Sequence, residues 1–100
     1  MNVIRETVQF IAWLESLRDR TARFRIATRI RSAKKGNFGD CRSVGEGVYE
    51  MRVHYGPGYR VYYARADETV YMLLVGGDKS SQQRDIAAAH GLWKQIRKGP

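Results

Sequence analysis

Residues Val48–Ala66 read VYEMRVHYGPGYRVYYARA, and the fold turns on how the two halves of this stretch pair. Before the turn, Tyr49, Met51, Val53 and Tyr55 alternate with Glu50, Arg52 and His54; after it, Tyr59, Val61 and Tyr63 alternate with Arg60, Tyr62 and Ala64. A period of two marks strands. Pro57 presets one corner of the connection and Gly58 tolerates positive φ, so the stretch is predicted to be a β-hairpin. A slip of one residue would turn one strand's apolar set to the wrong face, which burial of that face forbids. The register predicted here joins Tyr55 to Tyr59, His54 to Arg60 and Arg52 to Tyr62. One face then carries Met51, Val53, Tyr55, Tyr59, Val61 and Tyr63, a core. The other gathers Glu50, Arg52, His54, Arg60 and Tyr62. Cations gathered on neighbouring strands of one face repel each other, which is not a stabilising choice. The plain reading is a solvated sheet face; the chemical one is an anion site, with two guanidiniums and a phenol aimed at a phosphate.

Working outward, MNVIRE holds a short strand around Val3 and Ile4. Thr7 can cap a helix in VQFIAWLESLR, where Phe10, Leu14 and Leu17 keep helical spacing. Asp19 breaks that helix and caps a second, which runs to about Lys35 with a stripe of Ala22, Ile26, Ile30 and Ala33 and a stop at Gly36-Asn37. The two are predicted to form an antiparallel helical hairpin. Downstream, GDCRSVGEG has room for a strand at Cys41–Val44. TVYMLLV is apolar on both faces, as a strand covered on both sides should be. A Ser80…Gln83 capping box opens a last helix with the stripe Ile86, Ala89, His90, Trp93 and Ile96. The expected architecture is a single α+β domain over residues 1–100: a curved antiparallel sheet, a helical hairpin on one face and a C-terminal helix.

Composition narrows the function. The chain has 100 residues, 43% of them hydrophobic, which suits one small folded domain. No apolar run approaches the ~20 residues of a membrane span, and the start lacks the order of a secretory signal. Cys41 is the single cysteine, and His54 and His90 stand apart, so neither a disulfide framework nor a structural metal is expected. A cytoplasmic protein without membrane contact or cofactor fits these features. The net charge of +8 favours a polyanionic partner. Between Arg18 and Lys35, eight cationic residues face Asp19 alone. Arg23, Arg25, Arg29, Arg31, Lys34 and Lys35 are therefore candidate contacts to RNA phosphates, joined by Tyr62 on the sheet and Arg84 in the last helix. Trp13 and Trp93 read as core or interface residues.

Lys79 follows two glycines between a strand and a helix, a setting in which lysines hold nucleotide phosphates. A phosphate-binding loop needs G-x-x-x-x-G-K-[ST], however. VGGDKSS lacks the first glycine and has Asp78 where a glycine should precede the lysine. Lys79 is better placed at the rim of the arginine patch, provided its strand pairs beside Tyr59–Ala66.

GDCRSVGEGVYEMRVHYGPGYRVYY, followed by LLVGGDKSSQQRDIAAA, resembles the HigB-like, phage-derived branch of the RelE/ParE toxins, the addiction-module killer proteins. The likeness extends over nearly the whole chain. It rests on the joined pattern G-x-G-V-x-E-x-R, G-P-G-Y-R-V-Y-Y and G-G-D-K-[ST]-x-Q. The resemblance implies the toxin fold, a cognate antitoxin of helix-turn-helix type bound as a hetero-oligomer, and metal-independent, ribosome-dependent cleavage of mRNA. It also implies roles. Arg60 falls on the arginine at the scissile phosphate and Arg52 on a basic strand position. Lys79 falls on the cation beyond the last strand, and Glu50 is the acidic position of the branch. RelE-type relatives carry a catalytic tyrosine in the C-terminal segment, where SSQQRDI has none. Two further readings stay open on that account: a gyrase-directed toxin, and a basic RNA-binding module without catalysis.

Cleavage of RNA by its own 2′-hydroxyl needs a base, an acid and charge stabilisation at the phosphorane. Arg52 and Arg60 are the expected phosphate ligands, with Lys79 assisting or protonating the leaving oxygen. Glu50 or His54 is the expected base. Glu50 matches the branch, whereas a histidine has the more suitable intrinsic pKa.

Overall fold

Thr7 and Asp19 act as the caps their positions suggest. The Thr7 hydroxyl accepts from the Phe10 amide at 3.0 Å, and Asp19 Oδ1 accepts from the amides of Thr21 and Ala22 at 2.9 and 3.1 Å. In the computed structural model, which describes residues 1–99, these caps open α1 (Val8–Ser16) and α2 (Arg20–Lys34). A short strand β1 (Val3–Glu6) precedes them. The chain then forms β2 (Cys41–Gly45), β3 (Val48–Val53), β4 (Tyr59–Asp67) and β5 (Val70–Asp78). A single 3₁₀ turn, Lys79–Ser81, leads into α3 (Gln82–Lys98).

The five strands make one sheet in the order β1-β5-β4-β3-β2. Four of them pair antiparallel as expected, but β1 runs parallel to β5, so the sheet is mixed. The intervening helices make this possible, because they return the chain to the start of the sheet's far edge. Among the described residues, no helix is long and apolar enough to cross a membrane.

Alternation along β3 and β4 sorts side chains as the sequence indicates. Met51, Val53, Tyr59, Val61 and Tyr63 pack with Phe10, Ala22, Ile26 and Ala33 of α1 and α2. The second face is not open. Val48, Tyr62, Ala64 and Leu74 pack with Ala89 and Trp93 of α3. The sheet is thus the middle of three layers, which explains why β5 is apolar on both sides. Between Tyr62 and Tyr63 the β4–β5 register shifts by one, a bulge that sets Leu74 and Val75 together on the α3 side.

Gly76 and Gly77 complete the layering. A Cβ on Gly76 would run into the Trp13 ring of α1, and one on Gly77 into Asp85 and Ser81 at the start of α3. Adjacent strand residues point to opposite faces, so two consecutive glycines let a helix approach β5 from each side. The cap of α3 also differs from expectation. Asp78, not Ser80, closes the capping box: Asp78 Oδ1 accepts from the Ser80 amide at 2.8 Å, and Ser81 answers from within the turn. The α-helix then begins at Gln82.

Candidate active site

The β3–β4 register is Arg52 opposite Arg60, Glu50 opposite Tyr62 and Val53 opposite Tyr59. The expected pairing of Arg52 with Tyr62 and His54 with Arg60 is therefore wrong by two residues. A shift of two keeps every side chain on its face, which is why the core was legible although the partners were not. The GPG connection is longer than assumed: β3 ends at Val53, and residues 54–58 form the turn.

Two arginines now meet across a strand pair, and two carboxylates make this tolerable. Glu50 Oε2 lies 3.5 Å from Arg60 Nε, and Asp40 Oδ1 lies 3.6 Å from a terminal nitrogen of Arg52. These are ion-pair separations without hydrogen-bond geometry. The Nε atoms of both arginines remain buried and without a hydrogen-bond partner among the described residues. The Arg60 head is also held by a 2.7 Å hydrogen bond to the Gly58 carbonyl.

Glu50 is fully buried. It accepts from Arg42 Nε at 3.0 Å, from the Tyr62 hydroxyl at 2.9 Å and from Gln82 Nε2 at 2.9 Å. Burial works against its charge, but the hydrogen bonds from Gln82, Arg42 and Tyr62 outweigh that and hold the carboxyl below its ordinary value. Three of its roughly four acceptor positions are taken and the side chain is closed off from solvent, so it is not presented to a substrate. Tyr62, expected to face a phosphate, is enclosed beneath α3 instead. Burial first, and then its bond to Glu50, raise its phenol far above the usual range. Gln82 is the last residue of the motif G-G-D-K-[ST]-x-Q; that pattern contained the α3 anchor without revealing its partner.

Asp40, absent from the expected set, joins the candidate cluster. Its Oδ2 lies 2.5 Å from His54 Nε2. The hydrogen bond to His54, followed by the charges of Arg52 and Arg29, lowers the Asp40 pKa. Arg29, expected to contact RNA, points inward: its guanidinium donates to the carbonyls of Arg52 (2.5 Å), Phe38 (3.0 Å) and Asp40 (3.4 Å). It thereby fastens the loop that carries Asp40. Gly39 has φ +64, and a Cβ there would sit 2.7 Å from the Arg29 guanidinium, so this loop needs glycine. One signal was available: Asp40 is the only acid between Asp19 and Glu46.

Lys79 is exposed and directly follows the β5 end, where Asp78 pairs with Tyr59. A Cβ on Gly58 would lie 3.1 Å from an Arg60 terminal nitrogen and 3.6 Å from the Lys79 Cβ, so the base of the Lys79 side chain and the Arg60 head flank the same glycine. Arg52, Arg60, His54 and Lys79 thus share one end of the sheet, with Glu50 enclosed behind them. On α2, Arg23, Arg25, Arg31 and Lys34 are exposed, as is Lys35 at its cap. Arg25 stacks over the Tyr55 ring at 4.8 Å. Arg84 is exposed on the first turn of α3. Among the described residues, no group of three or more His, Cys, Asp or Glu side chains is placed to hold a metal ion.

The arrangement defines a class: a small α+β protein whose sheet end presents arginines, a histidine–aspartate pair and a lysine beside a basic helix. A family model for phage-derived protein Gp49-like (DUF891) matches residues 12–93, and the chain belongs to that family. It is also similar to an uncharacterized protein of Haemophilus influenzae, with 41% identity over 93 residues covering 93% of this chain and 94% of that one. The family match runs from α1 into α3 and includes every residue of the cluster.

Proposed function

We propose that this protein is the toxin of a type II toxin–antitoxin system, of HigB-like type and RelE/ParE fold, and that it cleaves mRNA on the ribosome. The observation that carries the reading is the opposed pair Arg52 and Arg60 with unpartnered buried Nε donors. Leaving a buried donor unsatisfied costs about 1–3 kcal/mol, a cost the fold bears to hold two guanidiniums side by side where a phosphate can be bound. Guanidiniums suit this task because their planar forks match phosphate oxygens.

In the mechanism that follows, His54 takes the proton from the 2′-hydroxyl and Asp40 holds the ring in position. The 2′-oxygen attacks phosphorus, and the bond to the 5′-oxygen breaks. Arg52 and Arg60 stabilise the charge on the phosphorane. Lys79 faces the leaving oxygen and supplies its proton. The products are a 2′,3′-cyclic phosphate and a 5′-hydroxyl. Glu50 takes no proton in this scheme; with Tyr62, Gln82 and Arg42 it holds Arg60 from behind. The exposed cations of α2 and Arg84 bind RNA phosphates, with little sequence readout. The +8 chain is neutralised in the cytoplasm by an antitoxin with an acidic contact surface.

The test is induction of the wild type and of Arg60→Ala, followed by primer extension on cellular mRNA. Cuts within codons of translated messages are expected for the wild type and none for the variant; because Arg60→Ala also strands the buried Glu50, its folding is checked by circular dichroism, and Lys79→Ala, at an exposed position, serves as the second variant. A fully toxic Arg60→Ala would remove the assignment. Intact mRNA with accumulating DNA breaks would point to gyrase, a reading favoured by the lack of tyrosine in SSQQRDI. RNA binding with neither cleavage nor growth arrest would leave a non-catalytic module.

A further inference from the structure

Phe24 is 66% exposed on a helix otherwise rich in arginine. A single exposed aromatic needs no explanation by itself. Phe24, however, forms one wall of a groove of about 570 Å³ between α2 and the end of β3, lined also by Thr21, Arg25, Thr28, Val53 and His54. That volume lies within the ~300–1,000 Å³ of small-ligand sites.

We infer that this groove seats a nucleobase of the RNA substrate, next to the scissile phosphate, stacked on Phe24. The inference rests on the ribonuclease reading above and adds a substrate subsite to it. Three observations favour this occupant. His54 belongs both to the groove and to the pair with Asp40, so whatever fills the groove lies beside the reacting atoms. Its lining includes two arginines and no carboxylate; the nearest acids, Asp40 and Asp19, are engaged with His54 and with Thr21 and Tyr55, so the groove itself suits a polyanion. One of the arginines, Arg29, is spent on backbone carbonyls; the other, Arg25, lies over the Tyr55 ring and keeps its charge at the rim. An exposed aromatic face beside an arginine is the usual platform for an unstacked RNA base. The threonine hydroxyls at Thr21 and Thr28 are within the lining and offer polar edges to the base.

The experiment measures binding of short, fully 2′-O-methylated RNA oligonucleotides, which cannot be cleaved, by fluorescence anisotropy at fixed low salt. The proteins are the full-length wild type, Phe24→Ala and Phe24→Tyr. Phe24→Ala should weaken binding by about 5- to 150-fold, the range for loss of one base–aromatic stack. Phe24→Tyr should bind like the wild type. Removing the bases one at a time should reveal one position whose loss equals that of Phe24→Ala and is not additive with it. Unchanged affinity in Phe24→Ala, or equal affinity for base-bearing and fully abasic strands, overturns the inference. So does an effect of Phe24→Ala confined to the complex with a partner protein, which would make the groove a protein contact. Because the oligonucleotides are uncleavable, a base-dependent Phe24 effect can stand even if wild-type mRNA cleavage fails. Failure of the stacking test, conversely, leaves the cleavage result untouched.

Discussion

Replacing Glu50 with Gln separates a carboxylate that does chemistry from one that holds the molecule together. Glu50 receives three hydrogen bonds, from Arg42, Tyr62 and Gln82, and faces Arg60 at 3.5 Å. A glutamine offers one acceptor oxygen where two stood, and its amide protons face donors. The Arg42 side chain is half exposed and can turn to water, so its bond contributes little. Arg60 is only 11% exposed and has no such escape. Removing one partner of a buried ion pair costs about 3–5 kcal/mol. Against a total of about 5–15 kcal/mol for a domain of this kind, that is a severe loss. At about 4–8 °C per kcal/mol, melting should fall by at least roughly 12 °C. Urea unfolding, followed by far-UV circular dichroism and by the fluorescence of Trp13 and Trp93, measures it. A Glu50→Gln chain that unfolds at the wild-type midpoint yet loses cleavage would refute the reasoning and make Glu50 a participant in the chemistry.

The same variant carries a pH signature. The Glu50 carboxyl lies below its ordinary value of 4.5 in the fold. The folded state therefore binds fewer protons than the unfolded chain in the acid range. Its stabilisation is complete above the unfolded value and is lost as pH falls through the folded one. Wild-type stability should drop across that window, and Glu50→Gln should flatten the drop. Part of the slope should survive, because Asp40, bonded to His54, and Asp78, bonded to Ser80, are also held low.

Two further perturbations address the loop and the layers. Asp40→Asn should leave folding intact and lower cleavage roughly 10²-fold, the lower range for losing a positioned acid–base group, in single-turnover assays on programmed ribosomes; combined with His54→Ala it should cost no more than His54→Ala alone. Gly77→Ala places a methyl group against Asp85 and Ser81, and Gly76→Ala places one against Trp13, so each should destabilise the fold by about 1–3 kcal/mol in urea titrations.

The strands and helices were legible because their signals are periodic. Alternation in Val48–Ala66 set the two faces of the sheet, and caps at Thr7 and Asp19 set the helix starts, without any distant partner being needed. What escaped was pairing at a distance. β1 is four residues long, and nothing in VIRE specifies which neighbour it takes or in which direction. The hairpin register differs by two because GPG alone reads as the whole connection, whereas the loop begins at His54. Polar residues on the second sheet face read either as a solvated surface or as an open anion site, both of which leave that face uncovered. Their true cover, α3, is anchored through Gln82 and admitted by Gly77, and neither contact is local in sequence.

The site divides along the same line. Arg52 and Arg60 were expected on one sheet face, and β3 and β4 place them opposite each other; His54 and Lys79 lie just past the ends of β3 and β5, where alternation no longer counts. Their roles were harder to read because a role depends on what else a side chain touches. Glu50 and His54 stood as equal candidates for the base when only residue types were known. In the fold, Glu50 is enclosed by three donors, whereas His54 is exposed and has Asp40 behind it. Arg29 shows the converse. Its charge made it one of a row of surface cations, yet its three carbonyl partners turn it into the peg that holds the Asp40 loop. Arg29→Met therefore gives the sharpest distinction between the two uses of a cation. A phosphate contact would lower RNA affinity and its salt dependence and leave the fold alone. A peg would leave the salt slope unchanged, cost stability through its lost charged hydrogen bonds, about 1.5–3 kcal/mol for each good one, and lower cleavage by freeing Asp40. Stability and salt slope measured on the one variant decide between them, and an unchanged unfolding midpoint with a shallower slope would return Arg29 to the RNA surface.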